Sequence, residues 1–129
     1  MLNRYLVIVF LMLFSVRVSH ALDDTTSQFY EPSKQEKANA DYGAYPKNYK
    51  NIVKNYMQGV LKDPESAHYK VLSSPQKFYT VARTIEELVY CYTTAFSINA
   101  KNGYGGYTGE KIYFFEIRNG EIIDVHYPR

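Results

Sequence analysis

Thirteen consecutive residues, Leu88 to Ala100, alternate in a way that suits an extended strand and little else. Leu88, Tyr90, Tyr92, Thr94, Phe96, Ile98 and Ala100 project to one side; Val89, Cys91, Thr93, Ala95, Ser97 and Asn99 project to the other. The first set is large and apolar, the second mostly small. A long strand with such unequal faces belongs in a sheet whose heavy face is covered. The neighbouring sequence supplies further strands. Ala67 to Ser73 is short, alternating and closed by Ser74-Pro75, and Lys77 to Val81 follows it. Lys111 to Ile117 and Glu121 to Tyr127 complete the set, while Ala82 to Glu87 reads either as a loop or as a turn of helix.

The cover comes from upstream. Pro46 suits a first helical position, where its missing N–H would be unpaired anyway. Tyr49, Ile52, Val53, Tyr56, Met57, Val60 and Leu61 then recur at helical spacing as one apolar stripe. Gly59 weakens the end and Asp63-Pro64 stops it; Asp63 can cap a turn through Glu65 and Ser66. The expected fold is α+β: one N-terminal amphipathic helix packed on a four- to five-stranded antiparallel meander sheet. The helix stripe is expected to meet Tyr90, Tyr92, Phe96, Ile98, Tyr113, Phe115, Ile117, Ile123 and Val125. Cys91, Thr93 and Ser97 then face the opposite side.

Register tests the last hairpin. A two-residue turn at Asn119-Gly120 with regular strands sets Phe115 against Asp124 and Tyr113 against His126. A three-residue loop, Arg118-Asn119-Gly120, sets Phe115 against Ile123 and Tyr113 against Val125, which makes one face wholly apolar. The sequence therefore favours the three-residue loop.

The connection before that hairpin is unusual in composition. Asn99 to Lys111 (NAKNGYGGYTGEK) holds four glycines and two tyrosines between two strong strands. It fits neither a phosphate-binding loop nor a dinucleotide fingerprint, since the spacing fails and a strand follows. A long hairpin connection accounts for the glycines. A recognition loop accounts for them equally, with Asn102, Tyr104, Tyr107 and Thr108 as binding residues, because Tyr, Gly and Asn combine rigid aromatic contact with adaptable hydrogen bonding. Lys47, Lys50, Lys54 and Lys62 offer a second surface for anionic lipid or glycan, although a solvated helix face explains them simply.

The chain opens like an export signal. Met1 to Arg4 is positive, Tyr5 to Phe14 is apolar, and Ser19 and Ala21 are small residues before a cut between Ala21 and Leu22. The apolar run is about half a membrane span before Arg17 interrupts it. Leu22 stands where a lipoprotein would carry cysteine. Residues 1–21 thus read as a cleavable signal, 22–44 as a flexible polar leader and 45–129 as a single α+β domain, with no transmembrane segment in the mature chain. Of the 15 Lys and Arg, Arg4 and Arg17 leave with the signal, and the remaining 13 equal the 13 Asp and Glu. A neutral domain has no broad electrostatic attraction to nucleic acid. Cys91 is the single cysteine, so no internal disulfide can form.

Catalytic patterns are scarce. His68 and His126 lie in no zinc-ligand spacing, no nucleophile elbow occurs, and Cys91 among apolar neighbours reads as an inert thiol. No cofactor or metal is implied. An enzyme of another type would use Cys91, or His68 and Asp124, in a cleft with perturbed ionisation.

Three segments carry a resemblance: Tyr45-Pro46-Lys47-Asn48-Tyr49-Lys50, Leu61-Lys62-Asp63-Pro64-Glu65-Ser66-Ala67, and Asn99-Ala100-Lys101-Asn102 with Gly105-Gly106-Tyr107-Thr108-Gly109. They resemble those of a family of small exported bacterial proteins, many of them lipoproteins, over roughly Tyr45 to Ile123. The resemblance implies a bacterial envelope setting, periplasmic or secreted, and no particular catalysis; the missing lipid-bearing cysteine departs from its lipoprotein members. The expectation is an exported, non-enzymatic binding or structural module whose Tyr/Gly loop meets an envelope protein or cell-wall component. An enzyme of unrecognised type and a secreted enzyme inhibitor are the alternatives.

Overall fold

The computed structural model describes residues 30–82 and 87–127. The signal, its cleavage site at Ala21 and Leu22, and most of the 82–87 connection lie outside the described residues. Gln35–Arg129 gathers into one compact unit. Among the described residues the fold is mostly sheet, of the α+β class: four antiparallel strands in one open sheet, and two short helices. In chain order these are α1 (Lys34–Asn39), α2 (Tyr49–Gln58), β1 (Asp63–Ala82), β2 (Glu87–Lys101), β3 (Lys111–Arg118) and β4 (Glu121–His126). The strands neighbour one another in sequence order, so β1 and β4 are the sheet's edges.

The amphipathic stripe forms α2, but three residues later than the proline start. Asn48 is the N-cap residue, and Pro46 and Asn48 carbonyls accept the first turn's N–H groups from Tyr49, Asn51 and Ile52. The helix stops at Gln58; Gly59, Val60 and Leu61 close it with N–H bonds to Tyr56 and Met57 carbonyls. Val53 and Met57 are fully buried against Phe96, Ile98, Phe115 and Ile117. These form the core, as the alternation requires, and Cys91 lies on the other face. Two stripe residues do not join it: Tyr56 is partly exposed and Val60 more so. Phe96 and Phe115 meet edge to face, with ring centroids 5.8 Å apart. Such a pair adds about 0.5–1.5 kcal/mol beyond its burial.

The first hairpin departs from expectation in one respect. Ser74-Pro75 does not end a strand; β1 continues through it, with register shifts at Ser73 and before Gln76. An edge strand tolerates proline because one side of it has no ladder to donate to. Ser73 repairs the irregularity: its carbonyl accepts from Thr94 Oγ1 at 2.7 Å, and its hydroxyl oxygen accepts from Ala95 N at 3.1 Å. The two candidate strands on either side are therefore one, and the sheet has four strands.

The second hairpin corrects the register. Asn119 (φ 48°) and Gly120 (φ 81°) both adopt left-handed backbone, and Arg118 pairs Glu121, so the turn is the two-residue I′ kind. The extra residue sits inside the strand instead. Ile117 pairs Ile122 and Glu116 pairs Asp124, which leaves Ile123 in a bulge. Phe115 consequently meets Val125 rather than Ile123, and Ile122 and Val125 pack on the core. The demand for an apolar face was sound, and the bulge meets it two residues further along.

The end of the polar leader is tied down. Tyr42 is buried, its ring 5.3 Å from that of Tyr90, and its hydroxyl donates to the Lys37 carbonyl. Arg118 reaches Asp41 and the Tyr90 carbonyl, while Ala44 N donates to Asn119 Oδ1. Positive-φ Gly43 lies so close to Asn119 that a Cβ there would meet its Oδ1 at 2.6 Å.

Candidate functional site

The Tyr/Gly loop is an organised structure. Asn102 works inward: its Oδ1 accepts from Tyr104 N (2.9 Å) and Gly106 N (3.2 Å), and its backbone exchanges bonds with Gly105 and Gly106. This is how an Asn side chain substitutes for missing turn bonds. Thr108 returns the chain to the sheet, its N–H and hydroxyl both directed at the Ala100 carbonyl. Tyr107 bridges to β1, where its hydroxyl lies 3.2 Å from the Ser66 carbonyl and 2.9 Å from His68 Nε2. A phenol has one hydrogen, so donation to Ser66 requires His68 Nε2–H to donate to Tyr107. Ser66 is fixed in turn by Asp63, as the expected cap, and accepts from Lys101 N. Of the four residues named from sequence, Tyr104 alone is free at the tip, 99% exposed.

A cleft of about 280 Å³ opens where α2 ends and this loop begins. Leu61, Ile98, Ala100 and Tyr113 give it an apolar floor, with Asn102 and Thr108 at its margin. Lys62, Lys101 and Lys111 also line it, and among the described residues no carboxylate does. The Lys101 ammonium lies 5.4 Å from the centre of the Tyr107 ring, a cation–π distance that steadies the side chain. Of the helix lysines singled out from sequence, Lys62 reaches this cleft, while Lys54 lies over Tyr69 and Lys50 beside Tyr49.

No family model, curated protein or solved structure matches this chain. Chemistry has to be read from the side chains themselves.

On the face away from α2, the second hairpin gathers three groups. His126 Nε2 stands 3.1 Å from Glu116 Oε2 and 3.4 Å from Asp124 Oδ2. Glu116 is 2% exposed at its side chain, Asp124 11% and His126 41%. Among the described residues this is the trio of His, Cys, Asp or Glu able to hold a metal ion. Local spacing hid it, because Glu116 lies across a turn and only the bulge brings Asp124 and His126 to its face. The available signal was Asp-x-His on one strand, which places two ligands on a common side.

Cys91 is fully buried. Burial first, and the Glu116 charge second, push its thiol up to about 12. At neutral pH it is a protonated, inert thiol. His68 and Asp124, the alternative candidates, lie in the loop bridge and in the carboxylate cluster respectively.

Proposed function

We propose that this chain is an exported, non-enzymatic envelope protein that holds an acidic cell-wall glycan in the cleft between α2 and the Tyr/Gly loop. The observation that carries the reading is the lining of that cleft, where Lys62, Lys101 and Lys111 stand with Leu61, Ile98, Ala100 and Tyr113 and none of the described lining residues is acidic. A site of this make-up selects a ligand with one negative group and one apolar side. A carboxylated sugar has both, since its ring presents C–H groups on one face and its carboxylate can reach an ammonium. The small volume suits a single sugar-sized group more than a folded partner. Tyr104, standing clear of the same loop, adds a flat aromatic surface for a neighbouring unit. The export signal and the envelope resemblance of the sequence agree with a wall ligand. The full chain carries a formal net charge of only +2, and none once Arg4 and Arg17 leave with the signal, which argues against a general polyanion binder, so the attraction is local. An enzymatic role through Cys91 has the least support, because a thiol held near pKa 12 supplies no thiolate.

Co-sedimentation of the folded chain with purified bacterial wall sacculi tests the reading. The protein is expected to pellet at low salt and to be released as salt screens the lysines. Lys101→Glu combined with Lys111→Glu should abolish pelleting while circular dichroism stays unchanged. A folded double variant that pellets like the parent would end this account.

A further inference from the structure

We infer that Glu116, Asp124 and His126 form a binding site for a divalent first-row transition ion, independent of the lysine cleft. The fold does something specific to make this trio. With regular pairing after the Asn119-Gly120 turn, Asp124 would lie opposite Phe115, on the α2 side. The unpaired Ile123 shifts the strand by one, so that Asp124 pairs Glu116 and His126 pairs Phe114. That places both Asp124 and His126 on the face of Glu116, and bulges commonly re-aim side chains in this way.

Two carboxylates set directly opposite on neighbouring strands repel one another. Glu116 and Asp124 are in that position, and both are largely removed from water. His126 approaches both through the same nitrogen, Nε2, at 3.1 and 3.4 Å. In a tetrahedral zinc site with bonds of about 2.0–2.1 Å, neighbouring donor atoms lie roughly 3.3–3.4 Å apart. The 3.4 Å edge matches that spacing and the 3.1 Å edge is slightly shorter, and all three donor atoms fall within 4.8 Å of one another.

The surroundings fit as well. Asp124 is oriented by the Val125 N–H, which donates to Oδ1 at 2.9 Å and leaves Oδ2 turned to the cluster. A ligating carboxylate held by a backbone donor is a regular feature of metal sites. The partial exposure of His126 and Asp124 gives an ion a path in and leaves a coordination position for water. One nitrogen and two oxygens suit Zn²⁺, Mn²⁺ or Fe²⁺ better than a soft-ligand metal.

The test is equilibrium dialysis of the chelator-stripped full chain against micromolar Zn²⁺, with elemental analysis and a thermal melt on each sample. The parent should retain one zinc per chain and melt several degrees higher with zinc than without it. His126→Gln and Asp124→Asn, at partly exposed positions, should each lower zinc affinity at least about tenfold and remove the thermal shift. His68→Gln, at the other histidine of the folded unit, should retain both. If the parent binds no more zinc than His126→Gln does, the trio is an ion pair only and the inference is overturned. Zinc that disappears with His68→Gln instead overturns it equally.

Discussion

The sheet reverses direction at β3 twice, by very different means. Between β3 and β4 two residues suffice, Asn119 and Gly120, both in left-handed backbone. Between β2 and β3 the chain spends residues 102–110 on the same reversal, then stitches them with an Asn102 cap, a Tyr107–Ser66 bridge and a Thr108 return. Ordering each added residue costs about 1–2 kcal/mol of backbone entropy. A short turn would have spared that cost. The long connection supplies what the short one cannot: one margin of a lysine-lined cleft and an exposed aromatic tip.

Substitutions can break this contrast at several points. The largest loss should come from the core that both reversals serve. Phe115→Ala removes a fully buried ring in contact with Phe96, Tyr56 and Tyr113 and should cost about 3–5 kcal/mol in urea unfolding. A loss below about 1 kcal/mol would mean that the core lies elsewhere.

Next comes alkali. Cys91 sits in the middle of β2, with a folded pKa raised from 9.0 to about 12. The folded state therefore holds this proton more tightly than the unfolded one. Its contribution to stability is complete below pH 9 and is lost as pH climbs towards about 12. Tyr69 and Tyr113, both raised by desolvation, act in the same direction at the alkaline end. Thermal midpoints measured across that range should fall, and Cys91→Ala should flatten part of the decline. A variant with an unchanged slope would remove Cys91 from the explanation.

The short turn is smaller in effect. Gly120→Ala forces a Cβ into left-handed backbone (φ 81°) and should cost about 1–3 kcal/mol by equilibrium unfolding. The long loop should be the least sensitive. Tyr104→Ala at the tip should change unfolding free energy by less than about 0.5 kcal/mol, since the ring touches solvent almost entirely. It should nonetheless weaken retention on wall sacculi. Stability and retention falling together would dissolve the distinction between the two connections.

The same contrast explains which parts of the fold are legible in the sequence. The heavy face of β2 and the apolar stripe of α2 are local periodicities, and they placed Val53, Met57, Phe96, Ile98, Phe115 and Ile117 in one core. The choice between loop lengths at Arg118–Gly120 weighed the right demand, an apolar side facing α2. It could not locate the bulge, because Ile122 and Ile123 are interchangeable to any pattern of hydropathy. Ser74-Pro75 misled for a related reason: proline signals a strand's end unless that strand happens to be an edge, and edges are set by topology. The lysine cleft was half legible. Lys62, Asn102 and Thr108 stand out in the sequence, yet only the antiparallel pairing of β2 with β3 brings Lys101 and Lys111 to the same opening. Of the Glu116–Asp124–His126 trio only the Asp-x-His spacing of Asp124 and His126 is legible, since Glu116 joins them through the bulge.

The central claim is that the long connection and the end of α2 form a binding cleft for an acidic wall glycan. Amide chemical-shift mapping of the isotope-labelled protein during titration with soluble, carboxylate-bearing wall fragments tests it most directly. Shifts should concentrate at Lys62, Lys101, Asn102, Thr108 and Lys111, saturate with added ligand and vanish at high salt, while the amides of Phe115 and Ile117 stay in place. Saturable shifts centred on the Asn119–Gly120 turn or on β1, with the cleft residues unmoved, would contradict the account.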